Sequence, residues 1–146
     1  MPTPQVKIVY RYCNELEPMQ QFYVDLLGLT QTSIENGKQA GFVEVDCGGF
    51  RLTFLQSSTP LPVYTQLSKL PGCVGGEIEQ ALCSVEYPAD DYAAVVDRLR
   101  AGGFHSPQPD GEWSYPVLDP MGNTIEVYRA FGDEVPEGAE NVAVSQ

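Results

Sequence analysis

Apolar positions along the chain switch between a period of two and a helical period. Val6 to Cys13 is rich in β-branched and aromatic residues and predicts a strand. Asn14-Glu15-Leu16-Glu17 and Pro18 follow. Proline suits the first turn of a helix, and acidic residues favour the positive end of its dipole. Met19, Phe22, Tyr23, Leu26 and Leu27 then recur at helical spacing, and Gly28 predicts a left-handed cap. Leu29–Ile34 predicts a second strand, Glu35-Asn36-Gly37-Lys38 a turn, and Ala40–Cys47 the returning arm. Gly48-Gly49 leads into Phe50–Gln56. Residues 1–56 therefore predict a β-α-β-β-β module.

Residues 57–76 break the pattern with Pro60, Pro62, Pro71, Gly72, Gly75 and Gly76. They predict a connecting segment, with a short helix over Val63–Leu70, long enough to serve as a pocket lid or an interface arm. The earlier order returns over 77–130. Ile78–Tyr87 predicts a strand, and Pro88 and Asp90 precede a helix bearing Tyr92, Val95, Val96 and Leu99 on one face. Gly102-Gly103 ends it, a short strand is expected near Phe104, and Trp113–Leu118 and Thr124–Tyr128 flank a turn at Asp119-Pro120-Met121-Gly122-Asn123. Residues 131–146 form an acidic C-terminal tail. The expected fold is α+β: two βαβββ modules in one structural domain, forming a curved, partly open mixed sheet around a central cup, with helices on the outer face.

Composition narrows the function classes. Apolar residues make up 42% of the 146 and charged residues 19%, a globular balance. No apolar run approaches the ~18 residues of a membrane helix, and Met1-Pro2-Thr3-Pro4-Gln5 lacks the basic, apolar pattern of a signal peptide. A cytoplasmic location is expected. The net charge of −12 argues against nucleic acid and anionic membrane as partners and admits a cationic ligand. Cys13, Cys47, Cys73 and Cys83 have no metal-ligand spacing and predict reduced thiols; His105, the single histidine, lies in a turn-rich stretch.

Two motifs resemble the vicinal oxygen chelate superfamily, which includes glyoxalase I, extradiol dioxygenases and bleomycin-resistance proteins. Phe22-Tyr23-Val24-Asp25-Leu26-Leu27-Gly28-Leu29 is similar to its helix-end signature. Asp119-Pro120-Met121-Gly122-Asn123-Thr124-Ile125-Glu126-Val127 is similar to its second-half turn and final strand. The resemblance spans about residues 6–130 and implies the paired-module fold; homodimers are an expected state. It also implies one divalent metal ion with ligands on the first and fourth strands of each half. Transferred residue by residue, those positions fall at Ile8 (Lys7 with a one-residue slip), Thr53, Gln80 (or Leu82) and Glu126. Only Glu126 is a strong ligand, so the donor set predicts no tightly held metal; if one is bound, Glu126 would hold it with Thr53 and Gln80.

In the alternating register Ile8, Tyr10 and Tyr12 face the cup, with Arg51, Thr53 and Leu55 opposite and Thr124, Glu126 and Tyr128 in the second half. Candidate ligand-binding residues are Tyr10, Tyr12, Arg51, Thr53, Gln80, Trp113, Tyr115, Glu126 and Tyr128. This aromatic wall with a few polar handles suits a small aromatic or cationic molecule, bound without metal. Glu126 paired with Arg51, or tyrosines that simply fill a core, are competing readings. Trp113 and Tyr115 either line the pocket or pack on the sheet. Arg11 points toward the helix layer in this register, which calls for a bulge or an edge position. The alternative functions are a metal-dependent glyoxalase-type lyase or isomerase, an extradiol dioxygenase using Glu126, and a dimeric regulatory or assembly module without catalysis.

Overall fold

The structure is a computed structural model that describes residues 2–32, 41–71, 76–107 and 113–131. The expected Asn36-Gly37 turn, Cys73 and the acidic tail from 132 onward lie outside them. The chain forms two compact units, Met1–Pro62 and Val63–Gln146. Together they give the expected α+β architecture, with one mixed sheet in each unit.

The first unit runs β1 (Ile8–Cys13), α1 (Leu16–Gln20) with a π-helical continuation (Gln21–Leu26), β2 (Thr30–Gln31), β3 (Phe42–Asp46) and β4 (Arg51–Gln56). Its sheet order is β1-β4-β3-β2, with β1 parallel to β4 and the other pairs antiparallel. Met19, Phe22, Tyr23 and Leu27 of the helix are fully buried. They meet Phe54 of β4, whose ring centroid lies 4.6 Å from that of Tyr23. Gly28 adopts φ +79° and closes the wide turn, letting the Leu29 amide donate to the Tyr23 carbonyl at 3.0 Å. Arg11 stands in register with Phe54, yet β1 is an edge strand and Arg11 is exposed. The edge, not a bulge, lets that charge reach water.

The second unit runs β5 (Ala81–Tyr87), α2 (Ala89–Ala101), β6 (Ser114–Leu118) and β7 (Thr124–Arg129), in sheet order β5-β7-β6. Again the first strand lies parallel to the last. Tyr92, Val95, Val96 and Leu99 are the buried residues of α2, as their spacing predicts. The expected strand at Phe104 is not formed. Gly103 takes φ +89°, its amide donates to the Arg100 carbonyl, and the Phe104 amide donates to the Leu99 carbonyl. Phe104 thus completes the helix cap, and its backbone is committed there.

Val63–Leu70 is also not helical. Its amides bond to other segments: Tyr64 to the Met121 carbonyl, Ser68 to Thr124 Oγ1 and Lys69 to the Ile78 carbonyl. With Pro62 before it and Pro71 after it, the segment lies extended as a strap on the turn before β7. Among the described residues, no helix is long and apolar enough to cross a membrane.

Candidate functional site

In the second unit, alternation along β7 turns Ile125 and Val127 to the side covered by α2 and Glu126 to the other. Glu126 is only 3% exposed. Its carboxylate accepts hydrogen bonds from Ser84 Oγ on β5 at 2.8 Å and Ser114 Oγ on β6 at 3.3 Å. Ser84 stands directly beside Glu126 because the ladder skips a residue between Ala81 and Cys83. Tyr128 shares this face two positions on. Burial raises its phenol pKa, and the carboxylates of Glu86, also hydrogen-bonded to it, and Glu126 raise it further. Tyr128 is therefore a protonated donor at neutral pH, not a base.

The turn before β7 holds Glu126 in place. Asp119 is buried, and its carboxylate accepts from the backbone amides of Met121 (2.8 Å) and Asn123 (2.9 Å) and from Asn123 Nδ2 (3.0 Å). Gly122 sits at φ +79° against the Tyr64 backbone. Asp, Gly and Asn thus carry separate jobs: amide acceptor, left-handed backbone and return link.

The first unit carries a second buried carboxylate that sequence reasoning missed. Glu44 of β3 is 7% exposed and pairs in register with Thr53 of β4. It accepts from Thr53 Oγ1 at 3.0 Å and Thr32 Oγ1 at 2.6 Å. Arg51 Nη1 lies 3.4 Å away, but that side chain is 47% exposed, so water screens the pair. The signal was present: Val43-Glu44-Val45 repeats the pattern of Ile125-Glu126-Val127, a carboxylate between two β-branched core residues. Glu44→Leu strands the buried Thr53 hydroxyl and is expected to cost about 2 kcal/mol, against about 1 kcal/mol for Glu44→Gln. Urea midpoints check the order.

The remaining site candidates separate. Tyr10 and Tyr12 stand on β1 in the phase of Thr53 and are 58% and 60% exposed, so neither is filled core within its unit. Arg51 meets Glu44 within its own unit. Gln80 does not reach Glu126. Its amide Nε2 donates to Asn123 Oδ1 at 3.1 Å, and Ser84 takes the place beside the carboxylate. Trp113 and Tyr115 lie on the opposite face of the sheet. Tyr115 is buried, donates to the Phe104 carbonyl at 2.7 Å and carries Arg100 of α2 over its ring. His105 is exposed beyond α2. Cys13, Cys47 and Cys83 are thiols, and burial raises the Cys47 pKa.

The positions to which a metal set transfers do not fit a divalent ion. Ile8 has no donor atom, Thr53 offers a neutral hydroxyl that already donates to Glu44, and Gln80, whose Nε2 donates to Asn123, offers only a neutral amide oxygen, so Glu126 would be the sole charged ligand. Among the described residues, no three His, Cys, Asp or Glu side chains cluster in a way that could hold a metal ion.

Two units, each with a helix packed on a mixed sheet whose first strand runs parallel to its last, define the paired-module class of α+β proteins. The chain belongs to the Glyoxalase/Bleomycin resistance protein/Dioxygenase superfamily, whose family model matches residues 6–127. No curated protein matches it in sequence. Among solved structures it is similar to the oxidase ChaP-H2, with 18% identity, 91% of this chain and 98% of that one covered, and a TM-score of 0.60. It is also similar to the fosfomycin resistance protein FosX from Mesorhizobium loti (11% identity, 88% and 92% covered, TM-score 0.58). A glyoxalase/dioxygenase from Nostoc punctiforme matches at 14% identity, with 86% and 90% covered and a TM-score of 0.62. At these identities the likeness is one of fold.

Proposed function

We propose that this chain binds a small aromatic cation through the Glu126 face of its second sheet, without a protein-held metal ion. The observation that carries the reading is Glu126 itself, a carboxylate 3% exposed that accepts from Ser84 and Ser114 on the sheet face turned away from α2. A carboxylate on such a face favours a cation over an anion as its ligand. Ser84 is itself exposed, so its hydroxyl can exchange partners when a ligand arrives. Tyr128 supplies a phenol on the same face. Phenol rings attract cations through their faces. The misfit of the metal positions supports the same reading over a metal-dependent lyase or dioxygenase.

Thermal shift with N-methylquinolinium and related aromatic cations tests this. At one hundred times Kd a ligand stabilises by about 2.7 kcal/mol, or roughly 5–10 °C in a chain of this size. Glu126→Gln is expected to abolish the shift. A flat response to the whole cation panel, with stoichiometric uptake of manganese, nickel, zinc or iron, overturns the proposal in favour of the metal-dependent reading. A homodimer is part of the proposal, since β1 is an edge strand carrying exposed Tyr10 and Tyr12. Light scattering that reads 16.0 kDa, one chain's mass, would remove it.

A further inference from the structure

On the α2 side of the second sheet, away from Glu126, lies a groove of about 310 Å³ lined by Ala89, Tyr92, Ala93, Val96, Asp97, Arg100 and Arg129. Two of the chain's 8 basic side chains converge on it, in a protein with 20 acidic ones. Each is held by an aromatic ring. The Arg129 guanidinium carbon sits 4.4 Å from the centre of the Trp113 ring, and that of Arg100 sits 5.3 Å from the centre of the Tyr115 ring. Trp113 and Tyr115 are two residues apart along one extended run, so their rings share a face with a spacing of roughly 7 Å.

Neither guanidinium has an ion-pair or hydrogen-bond partner among the described residues, and Arg129 Nε is buried without one. A buried, unsatisfied donor in a cationic group is uncommon and needs an acceptor. Asp97 is the one carboxylate in the lining, so two positive charges face one negative. Tyr92 and Val96 offer an apolar wall. The stacked arginines are pre-oriented, which lowers the entropy lost when planar oxygens engage them.

We propose that this groove binds a small organic anion, its carboxylate or phosphate oxygens between Arg100 and Arg129 and its apolar body along Tyr92 and Val96. The site is independent of the Glu126 face and takes a ligand of opposite charge. Titration calorimetry with 2-naphthoate and 2-naphthyl phosphate tests it on the full chain, with 2-naphthamide as the neutral control. Both anions are expected to bind at least tenfold more tightly than the amide, and more weakly as salt rises. Arg100→Gln and Arg129→Gln are each expected to weaken the anions about tenfold or more and leave the amide unchanged. Glu126→Gln is expected to leave all three unchanged.

Arg100 is exposed, so Arg100→Gln is expected to fold normally, and it decides the matter even if Arg129→Gln, which also loses the Trp113 stack, does not. Equal binding of acid and amide, or anion binding indifferent to Arg100→Gln, overturns the proposal. The chain's own C-terminal carboxylates are the competing source of the same chemistry. A full-length variant with Asp133→Asn, Glu134→Gln, Glu137→Gln and Glu140→Gln is expected to bind 2-naphthoate as the parent does. A tenfold gain there would mean that those carboxylates, not a free ligand, occupy the groove.

Discussion

Gly122→Ala is expected to destabilise the second unit by about 3 kcal/mol or more. Two costs add. At φ +79° an L-residue with a Cβ is strained by roughly 1–2 kcal/mol. The new Cβ would also run into the backbone nitrogen and carbonyl of Tyr64. Backbone cannot rotate away as a side chain can, so the strap must lift, with a further cost of about 1–3 kcal/mol. Lifting it strains the hydrogen bond from the Tyr64 amide to the Met121 carbonyl, 3.2 Å long, and the one from the Ser68 amide to Thr124 Oγ1, 2.8 Å long. The chain's single tryptophan, Trp113, lies in this unit and reports its unfolding by fluorescence in urea. The melting temperature should fall by roughly 6–12 °C. Gly103→Ala is the internal control. Gly103 has φ +89° but open space where the Cβ would go, so only the backbone strain remains. A loss for Gly122→Ala no larger than for Gly103→Ala would show that the Tyr64 contact contributes nothing.

Phe54→Ala is expected to cost about 3–5 kcal/mol in the first unit. Phe54 is fully buried, its ring lies 4.6 Å from that of Tyr23, and Tyr23 in turn sits edge-on to Phe22 at 4.9 Å. Removing the ring leaves a void between β4 and the wide helical turn, and a π-helical turn closed by Gly28 has little freedom to collapse into it. Phe54→Leu keeps most of the volume and should cost less than half as much. Far-UV circular dichroism in urea separates the two. Phe54 also immobilises its neighbour Thr53, which points to the other face and donates to Glu44. Loosening β4 should therefore weaken that hydrogen bond, visible as faster amide exchange across the β3–β4 ladder.

Much of the fold was legible because its determinants are local. Of the five residues at helical spacing in the first unit, Met19, Phe22, Tyr23 and Leu27 are buried and Leu26 is half-buried, and in the second unit Tyr92, Val95, Val96 and Leu99 are all buried. Gly28, Gly103 and Gly122 all take positive φ where a cap or turn was expected. Two local expectations failed for one shared reason. Phe104 was read as a strand and Val63–Leu70 as a helix, but in each the backbone amides bond to partners that local propensity does not reveal: the last turn of α2 for Phe104, the turn before β7 and the Ile78 carbonyl for the strap.

The site was legible only in part. Alternation along β7 placed Glu126 away from Ile125 and Val127, and along β4 it placed Thr53 opposite in phase to Phe54. Which residues stand beside those two depends on register between segments far apart in the chain. The skipped residue at Leu82 brings Ser84 rather than Cys83 to Glu126, with Gln80 left at Asn123, and the antiparallel pairing of β3 with β4 brings Glu44 to Thr53.

The order of side chains along the strands and helices and the positive-φ glycines at 28, 103 and 122 were thus determined by the sequence alone, because each depends on neighbours within a few residues. The tertiary structure decided the partners of the two buried carboxylates and the meeting of Arg100 and Arg129 over Tyr115 and Trp113. Those are contacts across strands and between helix and sheet, and their register is set by a bulge and by packing that no short stretch of residues encodes.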